Sequence, residues 1–138
     1  MINSLIKTSK ADVYITNDHH VCVRIHEDED LDVQDIKRIH EAKKILTNGS
    51  MYALLFCAAV YGSFTSEARK YAASQEVCEN AIAKAIVAKS LPMRLTATFF
   101  INFNRPTIPT KLFSNEAEAV SWLNEMIRNQ KENFKAAS

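Results

Sequence analysis

The stretch from Ala81 to Leu123 most narrows what this chain can fold into. It reads in order as an apolar strand, a helix, a loop bracketed by Pro106 and Pro109, a short strand and a second helix. Ser90 caps the first of these helices, and Pro92 lies in its first turn, where a missing N–H costs nothing. The strand, Ile82 to Ala88, is matched upstream by another apolar run, Met51 to Val60. Such continuous runs are expected of strands buried on both faces, which requires helices packed on the sheet. The chain is therefore read as an α/β domain.

The remaining segments fit that frame. Asp12 to Thr16 and Val21 to Ile25 alternate apolar and polar residues, and Asn17-Asp18 between them are turn formers, so an N-terminal antiparallel hairpin is expected. An acidic run, Glu27-Asp28-Glu29-Asp30 and then Asp32, stands at the entrance to a helix, where it favours the positive N-terminal end. Val33, Ile36, Ile39, Ala42, Ile45 and Leu46 recur at helical spacing, and Gly49 is expected to close that helix as a left-handed cap. Thr65 or Ser66 caps a short helix, and Ser74 to Asn80 is ambiguous, with a loop as one reading. The helix from Ser90 runs to Asn104 with Leu91, Leu95, Phe99 and Phe103 along one stripe, and Arg105 to Pro109 forms a rigid loop. Thr110 to Phe113 is the short strand. Ser114 or Asn115 caps the last helix, and a polar tail from Asn129 is expected to fray. The order ββ-α-β-α-β-α-β-α implies a mixed sheet.

Bulk properties exclude several function classes. A chain of 138 residues suits one domain, 1–138, with its core over 12–128 and the tail 129–138. A formal net charge of +1 gives no nucleic-acid footprint, and Tyr14, Tyr52, Tyr61, Tyr71 and Trp122 are too scattered to make a stacking platform. No run approaches the ~20 apolar residues of a membrane span, and MINSLIKTSKAD lacks a signal-peptide core. Cys22, Cys57 and Cys78 are odd in number and lack CxxC spacing, so free buried thiols in a reducing, cytoplasmic setting are expected. His19, His20, His26 and His40 do not form a ligand set, and the acidic run lacks the spaced oxygens and glycine of a calcium loop; no metal or cofactor is expected. Without a G-x-S-x-G elbow, P-loop, G-x-G-x-x-G or H-E-x-x-H, no catalytic residue is nominated and a non-enzyme is expected.

Three strings, TSEARKYAAS at Thr65 to Ser74, AIAKAIVAKS at Ala81 to Ser90 and FFINFNRPTIPTKLFSNEAEAVSWL at Phe99 to Leu123, resemble the STAS-like family of SpoIIAA type, the fold of anti-sigma-factor antagonists. The resemblance spans Asp12 to Arg128. It implies a SpoIIAA-like domain of a bacterial regulatory branch that acts by docking a protein partner. Members of that fold carry a phosphoacceptor Ser or Thr after an Asp at the end of a central strand. Here the strand ends Cys57-Ala58-Ala59-Val60-Tyr61 without that Asp, and Ser63, Thr65 and Ser66 follow in the loop.

In such a sheet, ligands sit beyond the carboxyl ends of the parallel strands. Gly62, Ser63, Thr65 and Ser66 thus form the candidate interaction and phosphoacceptor loop, and Lys89 and Ser90 are candidate anion-facing residues because helix N-termini favour anions. The plainer reading makes Thr65, Ser66 and Ser90 helix caps. The stripe Leu95, Phe99, Phe103 is read first as core; its excess apolar width would serve as a dimer face or as the wall of an apolar pocket. Two functions follow: a partner-docking module, switched by phosphate at the loop and able to form a homodimer, or a carrier of a small apolar or anionic ligand held between the 91–103 helix and the sheet.

Overall fold

Six strands form one sheet in the order β1-β2-β3-β5-β7-β8. A computed structural model describes residues 2–16 and 19–137, with side chains described for 4–16 and 19–133. The strands are β1 (Ile2–Lys7), β2 (Ala11–Thr16), β3 (His20–Ile25), β5 (Tyr52–Cys57), β7 (Ala81–Val87) and β8 (Thr110–Phe113). β1, β2 and β3 pair antiparallel, whereas β3, β5, β7 and β8 pair parallel, which makes the sheet mixed. The expected hairpin is β2–β3; its Asn17-Asp18 turn lies outside the described residues.

Each parallel crossover carries helix. α1 (Val33–Thr47) joins β3 to β5, α2 (Ser66–Ala72) and α3 (Gln75–Cys78) join β5 to β7, α4 (Leu91–Phe99) joins β7 to β8, and α5 (Glu116–Ala137) follows β8. Alternation along the central strands divides the core. Tyr52 and Leu54 of β5 turn towards Ile36, Ile39 and Ala42 of α1, while Ala53, Leu55 and Cys57 turn towards Ala119 and Leu123 of α5. The continuous apolar runs therefore mean what they promised: β5 and β7 are covered on both faces. Among the described residues no helix is long and apolar enough to cross a membrane.

Several local expectations are corrected. β1 adds an edge strand that the sequence hardly announces, because its alternation is diluted by Ser4 and Lys7; Ile6 packs on the core and Leu5 stays exposed. Asn48 enters the left-handed region first, at φ 49°, and its N–H reaches Lys44 O at 2.9 Å, so it caps α1 ahead of Gly49 at φ 81°. Ser74 to Asn80 is not all loop, since Ser74 caps the short α3 by accepting from Val77 N–H. A π-helical turn, Phe100–Asn104, ends α4 and closes on Arg105 at φ 53°. The tail from Asn129 stays helical to Ala137: Gln, Lys, Glu and Ala are strong helix formers and carry α5 on past its last inward residues.

Two three-residue strands, β4 (Glu29–Leu31) and β6 (Gly62–Phe64), make a second, parallel sheet. Gly62 is paired with Glu29 at φ 144°, and a Cβ there would lie 2.6 Å from Glu29 O. Glycine is required at this close approach.

Candidate functional site

The loop after β5 is fastened to the acidic run. Glu27 accepts hydrogen bonds from the N–H groups of Val60 and Tyr61, both at 3.0 Å, and these hold its carboxyl below the usual range. Asp28 N–H donates to Tyr61 O at 3.0 Å, and Ser63 Oγ donates to Asp30 Oδ1 at 2.6 Å. Thr65 Oγ1 accepts from Ala68 N–H and so caps α2, leaving Ser66 exposed in the first turn. Carboxylates thus crowd the loop, and an anion at Ser63 would face Asp30.

Ser90 brings the second junction to this loop. Its Oγ donates to Val60 O at 2.9 Å and accepts from Met93 N–H at 3.3 Å, so one hydroxyl caps α4 and ties it to the β5 exit. Lys89 is exposed and does not join them; its charge acts on Glu116 and Cys57, on the α5 side of the sheet. Of the residues singled out from the sequence, Gly62, Ser63, Thr65, Ser66 and Ser90 share one edge of the molecule, and Lys89 faces away.

The stripe on α4 faces outward. Leu91 is 70% exposed, Leu95 62%, Phe99 45% and Phe103 71%, with the Phe99 and Phe103 rings stacked at 4.7 Å. The face that covers the sheet is Met93, Ala97 and Phe100. The core reading of Leu95, Phe99 and Phe103 is corrected accordingly, and they do not line a pocket against the sheet. A cavity does lie there between Phe56, Ile86, Met93 and Phe100, about 470 Å³ when the solvent at its open mouth is counted.

Two basic groups line that cavity, and sequence reasoning passed over both. Lys84 sits on β7 with Nζ 4.6 Å from the ring centroids of both Phe56 and Phe100, and burial pushes its pKa down to about 8. Arg69 on α2 donates from Nη1 to Phe64 O at 2.7 Å, while its Nε is buried without an acceptor. The signal for Lys84 was a lysine inside a strand otherwise apolar on both faces. Behind the cavity a second buried lysine, Lys43 of α1, lies 5.9 Å from the Tyr52 ring; burial and then the Lys84 charge lower its pKa to about 7.

Nucleophiles are poorly placed for chemistry. Burial raises the Cys57 thiol to about 11 and the Tyr52 hydroxyl to about 12, and it raises Cys22 as well. Protonated, buried thiols are inert. Among the described residues no group of three or more His, Cys, Asp or Glu could hold a metal ion.

Comparison with known proteins follows the same lines. Residues 13–127 match the family DUF7793, a domain of unknown function. No curated protein matches the chain. Among solved structures, the chain is similar to an uncharacterised protein of the DUF3478 family with a SpoIIAA-like fold, from Shewanella loihica PV-4. The two share 11% identity with a TM-score of 0.52, over 89% of this chain and 92% of that one. At that identity the likeness concerns the fold, and it agrees with the STAS-like reading of the sequence.

Proposed function

Because the chain belongs to the DUF7793 family and has a SpoIIAA-like fold, we propose that it is a non-enzymatic regulatory module that docks a protein partner. The docking face is the surface formed by Val60, Tyr61 and the outer stripe of α4. One observation carries this reading: the Ser90–Val60 hydrogen bond sets exposed Tyr61 beside exposed Leu91, and Leu95, Phe99 and Phe103 extend the apolar surface along the helix. Contiguous exposed apolar side chains of this kind support an interaction-site reading. Glu27 to Asp30 border its Tyr61 end, so the partner presents an apolar centre with a basic edge.

Ser63 gives the face a switch. A phosphate on its hydroxyl would meet the Asp30 carboxylate it now donates to, and repulsion would part β4 from β6. Phosphorylation would then act by undoing the docking edge. The test is capture of partners by the tagged chain, with circular dichroism as the check on folding. The double variant Leu95→Glu, Phe103→Glu should lose the partner while keeping its spectrum, and Ser63→Asp should weaken capture. Undiminished capture by the double variant overturns the assignment.

A second reading, a small-ligand carrier, is favoured by the cavity under α4, whose walls are Phe56, Ile86, Met93 and Phe100. The ligand would lie against the inward face of α4, on the far side of the helix from Leu95 and Phe103.

A further inference from the structure

Lys84 occupies an unusual position for a cation. It is 8% exposed, on a strand whose other residues are all apolar, and among the described residues no acid lies within ion-pair distance of it. Its partners are the faces of Phe56 and Phe100. Ring faces attract an ammonium but do not replace the hydrogen bonds it gives up on leaving water. Buried charges are ordinarily paired, and this one is not.

Arg69 repeats the pattern from α2, which lines the same cavity. Its guanidinium is fixed by the Phe64 carbonyl and lies 5.3 Å from the Phe99 ring, which leaves the buried Nε–H without an acceptor. Two cationic donors therefore line one cavity whose remaining lining is overwhelmingly apolar, and among the described residues neither is paired with an acid.

We propose that this cavity binds a small monocarboxylate with a compact apolar body, its carboxylate received by Lys84 Nζ and Arg69 Nε. The inference rests on the carrier reading and gives its ligand a chemical class. The apolar body lies among Phe56, Ile86, Met93 and Phe100, and the two carboxylate oxygens supply the acceptors that both donors lack. Two donors match one carboxylate. A phosphate dianion would bring more charge and more acceptors than this wall can satisfy, and a neutral lipid would leave both cations bare.

Titration calorimetry on the full chain with octanoate and with octanol tests this. Octanoate should bind, and octanol about tenfold or more weakly, the difference expected of hydrogen bonds to a charged group. Lys84→Met keeps the side-chain bulk and should cut octanoate affinity about tenfold while leaving octanol unchanged; Arg69→Gln, at a less buried position, should cut it in the same direction. Equal binding of octanoate and octanol overturns the carboxylate assignment and leaves the carrier reading standing. Binding of neither overturns both.

Discussion

The two faces of the sheet handle charge in opposite ways. On the α5 side, Arg24 of β3 meets Glu116 through two hydrogen bonds, at 2.9 and 2.5 Å, and Tyr14 Oη accepts from Arg24 Nε at 2.7 Å. Its donors are matched, and below them Ala119 and Leu123 are fully buried. On the α1 to α4 side, Lys43 and Lys84 are buried with no acid in ion-pair distance among the described residues, Arg69 keeps an unused donor and a cavity remains. The second face pairs its buried Asp35 with Lys10 at 2.9 Å but leaves these cations unmatched, and that contrast is what the carrier reading would explain.

The comparison can be broken first at the sealed face. Leu123→Ala should cost about 2–5 kcal/mol, because Leu123 is fully buried between α5 and the sheet. Urea unfolding measures it, and a loss below about 1 kcal/mol would show that this face is not the tightly packed one.

On the open face the sign reverses. Lys43→Met should stabilise the protein, by about 1–4 kcal/mol at neutral pH, since it removes an unpaired buried charge and keeps the bulk. The pH dependence follows from the depression of the Lys43 pKa from 10.5 to about 7. Between those values the unfolded chain holds more protons than the folded one, so wild-type stability rises with pH. The gain in the variant is therefore full below about pH 7 and fades towards pH 10.5. Denaturation at three pH values measures this; destabilisation at pH 7 would mean that Lys43 is paired after all.

The smallest effect belongs to the matched pair. Glu116→Gln should cost under about 1 kcal/mol, because Arg24 and Glu116 are 41% and 38% exposed and water screens them. Arg24 lowers the Glu116 pKa, so the contribution is present above the ordinary carboxylate range and is lost as pH falls through the folded value. The cost should also shrink in high salt.

How much of this could be read from the sequence depends on how local its cause is. β5 and β7 were legible because burial on both faces writes itself as an unbroken apolar run. The loop positions Ser63, Thr65 and Ser66 were legible as the exit of such a strand. The facing of α4 was not. Apolar residues surround that helix, and periodicity favoured the larger side chains of Leu91, Leu95, Phe99 and Phe103, whereas the sheet takes Met93, Ala97 and Phe100. β4 and β6 were invisible because three-residue strands exist through their pairing and through Gly62, both of which are tertiary facts. The pairing of Ser90 with Val60 and the separation of Lys89 from both likewise depend on which strands become neighbours.

The small β4–β6 sheet has one more implication. Its strands bracket α1 and β5 in the chain, so their pairing closes a ring around a helix and a central strand. Glu29 pairs with Gly62 and His20 with Ala53, so β4–β6 and β3–β5 close rings of the same length and at the same entropic cost. The edge that carries Tyr61 and Ser63 is therefore held by pairing as long-range as that of the sheet behind it. The proposed partner, docking on this edge, would meet a surface that exists only once distant parts of the chain have paired.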